Sequence, residues 1–490
     1  MDYDAIIIGS GLAGLTSALL LARNGRKVLV VEQHHSPAPV LSGFERDGIY
    51  FDSGFHYAGG LGTGGGLLPL LRHLGVAERL ELFPYAPHGF DSLRFSTSRK
   101  EYTLPVGFDP IKAYLTAQFP AAHVEIGRYI DEVAATWQNS PYLDLDADLS
   151  SFGMALAHGC SLQQRLEVFS PWPQLQSLLS IHCFLAGVAT ERAPFSLNAY
   201  IAGSYYHSAH GIVGGGRQLV KVLLELLLEA GVTLKCRADV TEILVAAGVV
   251  SGVRLQSGEE FTAATVISTL NPTLLPDLLP TKGLRPVYRK RLKKLHQTFS
   301  AYMVFGRSQK SLEFLRRKNL FVQNHPDILG GIDLPLRQRP VYLAGADQGA
   351  NGAINGVIAI IPTHCSEFSA WEDCSSLRTA AYQEWKQGKL EQVSNLLTQG
   401  CPELSQLEVL DFSTPLTLRD YSRAPEGAMY GVGRNVGQYN PQPSTKLPGL
   451  YLAGQAVVVP GLMGTIISGY MACGTILGHE FLRGELKACK

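Results

Sequence analysis

The stretch Ala5-Ile6-Ile7-Ile8-Gly9-Ser10-Gly11-Leu12-Ala13-Gly14 decides the fold. Its four apolar residues read as a strand buried on both faces, as in a parallel sheet. Glycines follow in G-x-G-x-x-G order, and Leu12 to Asn24 reads as a helix rich in Leu and Ala, ended by Gly25. Lys27-Val28-Leu29-Val30-Val31 is a second strand, finishing at Glu32. In this βαβ unit Gly9 permits the tight turn, Gly11 lets backbone approach a pyrophosphate, and Gly14 lets helix and strand pack closely. The helix start at Leu12 and Ala13 offers free N–H groups and partial positive charge to phosphates. Glu32 lies 18 residues beyond Gly14, with Gln33 beside it, where a carboxylate accepts from adenosine ribose hydroxyls. The unit predicts a dinucleotide cofactor without choosing between NAD and FAD.

At 490 residues the chain is too long for one hydrophobic core and suits two interleaved domains. Apolar residues make up 46% and charged residues 17%, enough to bury a large interior. The formal net charge of zero argues against a nucleic-acid partner. Eight cysteines (Cys160, Cys183, Cys236, Cys365, Cys374, Cys401, Cys473, Cys489) never form a C-x-x-C pair, which fits reduced cytoplasmic thiols better than disulfides or a zinc site. Met1-Asp2-Tyr3-Asp4 brings no basic region before the first apolar run, so no signal peptide is expected. Gly449 to Gly478 carries no charge, yet Gly454, Gln455, Pro460, Gly461, Gly464, Ser468 and Gly469 interrupt it. A strand, a glycine turn and a buried helix are predicted there, not a membrane span.

The choice of cofactor comes from further along the chain. Gly43-Phe44-Glu45-Arg46-Asp47-Gly48-Ile49-Tyr50-Phe51-Asp52-Ser53-Gly54-Phe55-His56-Tyr57 resembles the early segment of the phytoene desaturase, carotenoid isomerase and retinol saturase superfamily of flavoproteins. Leu450-Tyr451-Leu452-Ala453-Gly454-Gln455, running through Pro460-Gly461-Leu462-Met463-Gly464-Thr465 to Ser468-Gly469, is similar to that family's second FAD motif. Gly214-Gly215-Gly216-Arg217-Gln218-Leu219 opens a helix leading to Ala238-Asp239-Val240, and the resemblance puts a backbone contact to adenine at Val240. Thr414-Pro415-Leu416-Thr417, Tyr421 and Gly427-Ala428-Met429-Tyr430-Gly431 resemble the saturase and isomerase branch. The resemblance implies an α/β fold, with a Rossmann-type FAD-binding domain of GR2-like flavoproteins interleaved with a mixed α+β substrate domain. Residues 1–60, 211–284 and 440–490 are assigned to FAD, and 61–210 and 285–439 to substrate. Two departures stand out: Ala38-Pro39 occupies the place of a Gly-Gly pair, where Pro39 has no N–H to donate, and Gln455-Ala456 stands where many relatives have an acid.

On the substrate side, the run Gly59 to Gly66 lacks the lysine of a P-loop and reads as a flexible loop over the active site. His56 and Tyr57 are the candidate proton donors, and Tyr206, His207 and Tyr430 the candidate substrate wall, with Tyr205 and His210 in the same clusters. Packing in an aromatic-rich interior accounts for these residues equally well. No metal-ligand cluster stands out. Lys282 to Lys318 holds twelve Lys or Arg and one acid, Glu313, with Tyr288, Leu292, Leu295 and Phe299 at helical spacing. That pattern reads either as a basic amphipathic helix on an anionic membrane surface or as an ordinary solvated helix.

The leading expectation is therefore an FAD enzyme acting on an apolar isoprenoid polyene, a carotenoid or retinoid-like molecule. Saturation, cis–trans isomerisation and desaturation share the scaffold, with a reduced electron donor, quinone or oxygen as redox partner. Two alternatives are an amine or amino-acid oxidase and a non-catalytic carrier of prenylated proteins, both on related folds. A cytoplasmic enzyme with peripheral membrane contact is the matching location.

Overall fold

A computed structural model of the chain describes residues 1–140, 142–146, 159–281, 283–323, 325, 327–348, 353–371 and 379–489. Ala5–Ile8 and Val28–Val31 are strands with every residue buried, as continuous apolar runs require. They lie in a five-stranded parallel sheet ordered Thr233–Lys235, Val28–Val31, Ala5–Ile8, Thr265–Ser268, Leu450–Leu452. Ala5 faces Val28 on one side and Thr265 on the other, so the first strand is the centre of the sheet. The helix Leu12–Arg23 follows the glycine turn as expected and packs against two further helices, Gly215–Glu229 and Leu462–Leu477. Beside this layer stands a three-stranded antiparallel sheet, Val240–Ala246, Val249–Leu255 and Glu260–Thr262.

A second, seven-stranded sheet runs Leu407–Ser413, Ser300–Ser308, Gly356–Thr363, Val341–Gly345, Asn319–Gln323, Asp91–Phe95, Glu101–Leu104. Its period-two side chains split between two cores. Ala301, Met303 and Phe305 face a core shared with the helices Phe108–Gln118, His123–Gln138 and Phe195–His207, while Tyr302 and Val304 face one shared with Ala380–Gly400. A short strand, Ala209–Ile212, pairs antiparallel with both Ala58–Gly59 and Leu82–Pro84.

Two sequence expectations change in detail. The basic helix is only Pro286–Lys293. Leu295 lies beyond its end and Phe299 leads into the strand Ser300–Ser308, so the apparent helical stripe is a short helix, a bend and a strand. Two of its cations are also engaged: Arg289 donates to the carbonyls of Pro276, Leu279 and Pro280, and Lys293 pairs with Asp277. The run Gly59–Gly66 is a close-packed turn, not a loose loop. A Cβ on Gly65 would sit 2.2 Å from the Gly60 carbonyl oxygen, and one on Gly66 1.7 Å from Leu143. The seven described cysteines are free thiols; Cys374 and Lys282 lie outside the described residues. Among the described residues, no helix is long and apolar enough to cross a membrane.

Candidate active site

The glycine turn is built around absent side chains. Gly9 has φ +98°, and a Cβ there would lie 2.4 Å from Thr269 Oγ1; a Cβ on Gly14 would lie 2.0 Å from the Gly9 carbonyl oxygen. Gly11 differs. It has an ordinary φ of −60°, caps the helix with no side-chain hydrogen bond, and its Cβ would meet open space among the described residues. The N–H groups of Leu12 and Ala13 therefore begin a buried helix with no side chain capping them and with room in front, which fits an anionic pyrophosphate.

Glu32 is tied to that turn. Its Oε2 accepts from the Ser10 N–H at 2.9 Å and the Ser10 hydroxyl at 2.8 Å, and its Oε1 accepts from the His34 N–H at 2.9 Å. Ser10, which sequence reasoning passed over, is thus a hub, because its Oγ also accepts from the Ala38 N–H at 2.9 Å. Ala38 itself adopts φ 45° and ψ 51°, a left-handed conformation that costs a residue with a Cβ about 1 kcal/mol. The departure from Gly-Gly is therefore accommodated as backbone strain, with Pro39 opening the next helical turn. Gln33 is half-buried beside Glu32. The Ala238 N–H donates to the Glu32 carbonyl at 2.8 Å, which brings buried Val240, first in its strand, to this end of the cradle.

The second half of the cradle comes from the C-terminal segment. Gly454 has φ +114° and donates its N–H to Ser468 Oγ at 2.8 Å. Gly461, with φ +89°, opens the helix Leu462–Leu477 without a side-chain cap, and a Cβ on it would also meet open space. Gly464 packs on Val459, where a Cβ would be 2.3 Å from the carbonyl oxygen. Leu462, Met463 and Thr465 line this helix start, each partly accessible. Gln455 is half-buried beside Gly431, where a Cβ would lie 3.3 Å from its Nε2. The segment around 414–431 spans the cradle. Tyr421 sits edge-on to His34 at 4.8 Å near Glu32, while Gly431 lies against Gln455 at the other end. Arg434 adds a buried guanidinium that donates to the Val457 carbonyl; among the described residues its Nε has no partner, and burial pushes it down to about 9.

The aromatic candidates separate into two groups. Tyr57 stacks on Tyr85 at 5.3 Å and on Tyr205 at 4.3 Å, and its hydroxyl donates to Asp91 Oδ2 at 2.8 Å. Tyr430 is half-buried and edge-on to Phe299 at 5.9 Å. Burial first, then Asp91 and Tyr430, raise the Tyr205 phenol, so Tyr430 belongs to the same neighbourhood. Tyr206 meets His182 edge-on and makes no ring contact with Tyr57 among those described. It is wholly buried against Phe108 and His182, and successive helix residues point about 100° apart, so Tyr205 faces Tyr57 in its place. His207 stacks on Trp137 at 4.9 Å, away from Tyr57. His56 lines a small polar cavity with Asp52, Asp347 and Gln348, and burial pushes its imidazole down to about 4. It is held neutral at physiological pH.

Sequence reasoning missed Asp91 and His182. Both are wholly buried, and one oxygen, Asp91 Oδ2, lies 3.0 Å from His182 Nε2 as well as accepting from Tyr57; Oδ1 accepts from Asn319 Nδ2 at 2.8 Å. The missed signal was periodicity: in Asp91-Ser92-Leu93-Arg94-Phe95, Asp91 shares the core-facing side with Leu93 and Phe95.

Two outcomes follow from this geometry. Gly11→Val is expected to fold, at a cost of about 1 kcal/mol for the poorer cap, and to lose flavin absorbance on purification. A yellow, fully loaded variant would place the pyrophosphate elsewhere. Asp52 accepts from the Gly216 N–H at 2.8 Å and the Tyr50 hydroxyl at 2.9 Å, yet burial outweighs both and pushes it up to about 7. Between its ordinary value and about 7 the folded chain keeps a proton the unfolded chain has released. Stability therefore falls as pH rises from about 4 to about 7, with a slope of roughly 1.4 kcal/mol per pH step of one at most. Asp52→Asn keeps the acceptor and should flatten this slope in urea titrations across that range; an unaltered slope would refute the assignment.

Residues 12–477 match the family described as flavin containing amine oxidoreductase. The all-trans-retinol 13,14-reductase of Rattus norvegicus is 26% identical, with 99% of this chain and 87% of the relative aligned. Prolycopene isomerase 2, chloroplastic, of an Oncidium hybrid cultivar is 25% identical over 98% of this chain and 85% of the relative. Among solved structures, an oxidoreductase from Methanosarcina mazei superimposes with a TM-score of 0.67 at 17% identity, covering 95% of this chain and 98% of its own. Putrescine oxidase bound to putrescine gives 0.66 at 16%, covering 97% and 99%. The chain belongs to the flavin containing amine oxidoreductase family and is an FAD-dependent oxidoreductase.

Proposed function

We propose that this flavoprotein saturates a conjugated double bond of an apolar isoprenoid polyene of the retinoid or carotenoid class. The observation that carries the reading is the likeness to all-trans-retinol 13,14-reductases along 99% of the chain. In this reading Gly9, Gly11, Leu12, Ala13, Gly14, Glu32, Gln33 and Val240 hold the adenosine diphosphate half of FAD. Gly454, Gln455 and Gly461 to Thr465 hold the flavin half. Residues 1–60, 211–284 and 440–490 form the cofactor domain, and 61–210 with 285–439 the substrate domain. When bound and reduced by an external electron donor, FAD would supply a hydride. The chain's own contribution is to exclude water with the aromatic wall of Tyr57, Tyr205 and Tyr430 and to hold a proton nearby. Isomerisation is the second reading, supported by the likeness to prolycopene isomerases. It uses the same wall with no net redox change.

A polyene is delivered from lipid, and one face suits that delivery. Val287 and Tyr439 are exposed there, with Arg285, Lys290, Arg291 and Lys294 around them, and the Arg291 guanidinium sits 5.9 Å from the Tyr439 ring centre. Each cation near an anionic surface contributes about 1 kcal/mol. Flotation with phosphatidylserine vesicles should carry the protein at low salt and release it at high salt; absence of binding at low salt would remove the membrane from the account.

The deciding measurement is the mass and retention time of a polyene before and after anaerobic incubation with flavin-reduced enzyme. A gain of two hydrogens is expected. Unchanged mass at a new retention time would replace saturation with isomerisation, and a panel of unaltered polyenes would sink both.

A further inference from the structure

We propose that Asp91 and His182 are positioning residues of a buried proton relay that ends at the Tyr57 hydroxyl, the group that protonates the substrate carbon. This inference rests on the saturation reading and adds the source of the proton. It is carried by geometry. Asp91 Oδ2 is shared, 2.8 Å from the Tyr57 hydroxyl and 3.0 Å from His182 Nε2. A proton can therefore pass from imidazole to phenol through one oxygen atom. Asn319, opposite Asp91 in the parallel pair of strands, donates to Oδ1 and fixes the carboxylate plane. Tyr205 stacks on Tyr57 at 4.3 Å and on His182 at 5.5 Å, clamping both ends of the relay.

The surroundings explain why such a set is not merely structural. Asp91 and His182 are wholly buried, and among the described residues neither has an Arg or Lys partner within ion-pair distance. Among the described residues the titratable groups around them are uncharged phenols, a thiol and a neutral imidazole: Tyr85, Tyr205, Tyr206 and Tyr342, Cys183 next to His182, and His56 beside Tyr342. An isolated buried carboxylate is costly, and apolar residues of equal volume serve a core as well or better. The arrangement gains from charge only if the second proton sits on His182, making the pair neutral. His182 Nδ1 has no partner among the described residues, so Nε2, on Asp91 Oδ2, is the ring's one anchored nitrogen and the one that hands over the proton. Burial, then the Asp91 carboxylate, hold the Tyr57 phenol well above its ordinary value, so Tyr57 rests protonated.

In the step itself a hydride, which reduced FAD would supply when bound, forms a C–H bond at one carbon of the double bond. The π electron pair forms the second C–H bond, at the neighbouring carbon, with the proton of Tyr57. The Tyr57 O–H bond breaks, and the phenolate oxygen takes the His182 Nε2 proton by way of Asp91 Oδ2. His182 is left neutral and is recharged by one proton from water before the next turnover. Two electrons, one hydride and one proton are accounted for.

The test compares wild type with Tyr57→Phe, Asp91→Asn and His182→Gln, all folded and flavin-loaded as judged by melting temperature and absorbance. Tyr57→Phe should lower kcat by about 10²-fold or more with KM unchanged, the range set by losing a general acid. Asp91→Asn and His182→Gln should move the alkaline limb of the pH profile and change the solvent deuterium isotope effect. A lowered melting temperature with rate, pH profile and isotope effect as in wild type would mean packing alone and overturn the relay. If wild type itself alters no polyene, the saturation reading fails, and the relay is still judged by ring-nitrogen NMR on histidine-labelled protein. Two protonated nitrogens on His182 in wild type and one in Asp91→Asn support it; identical spectra overturn it.

Discussion

The close crossing of two helices, Leu12–Arg23 and Leu462–Leu477, is the contact on which the rest depends. At the crossing Gly469 lies against Thr16, where a Cβ would be 3.0 Å from Cγ2, and the Cys473 thiol reaches the Ser17 carbonyl at 3.6 Å. Only a small residue allows two helix backbones this near. The crossing lies one turn into the first helix and midway along the second, and each helix begins without a side-chain cap. Residues from opposite ends of the chain are thus brought together, with the strands Ala5–Ile8 and Leu450–Leu452 in one parallel sheet.

The interleaving follows from that constraint. Strands from three separate stretches complete the five-stranded sheet, and the chain leaves it twice to build the seven-stranded one. The return points are themselves bonded to the cradle. The Ala238 N–H meets the Glu32 carbonyl, Arg423 pairs with Asp239 at 2.6 Å, and Gly431 rests on Gln455. These contacts end at the turn itself, where Glu32, Ser10 and Ala38 form one chain of hydrogen bonds.

What could be read from sequence was what is encoded locally. The glycine turn, both flanking strands, the helix at 215–229 and the strand–turn–helix at 450–477 depend on spacings of a few residues. Glycines that would clash if given a Cβ leave a pattern that survives without coordinates. Tertiary contact was not legible. Asp91 and His182 are 91 positions apart, one on the strand Asp91–Phe95 and the other just ahead of the helix Cys183–Ala186, so no local pattern links them. The choice of Tyr205 over Tyr206 hinges on helix phase, which shifts by a residue with the helix start. The basic stripe failed for a different reason: a short helix followed by a strand can reproduce a period near four over a dozen residues, and periodicity alone cannot see the bend at Leu295.

Three buried carboxylates show how environment sorts residues of one chemical kind into different tasks. Glu32 accepts from two backbone N–H groups and a hydroxyl, donors that cost nothing to orient, so it serves as a fixed acceptor. Asp52 has one N–H and one phenol against a deep site, and burial wins, so it behaves as a cap that sheds its charge near neutrality. Asp91 has one oxygen fixed by Asn319 and the other divided between an imidazole and a phenol. Of the three, only Asp91 has two neighbours that can each give up or accept a proton. A carboxylate surrounded by amides can stabilise charge but cannot move it; one placed between imidazole and phenol can do both, and it stands where the aromatic wall begins.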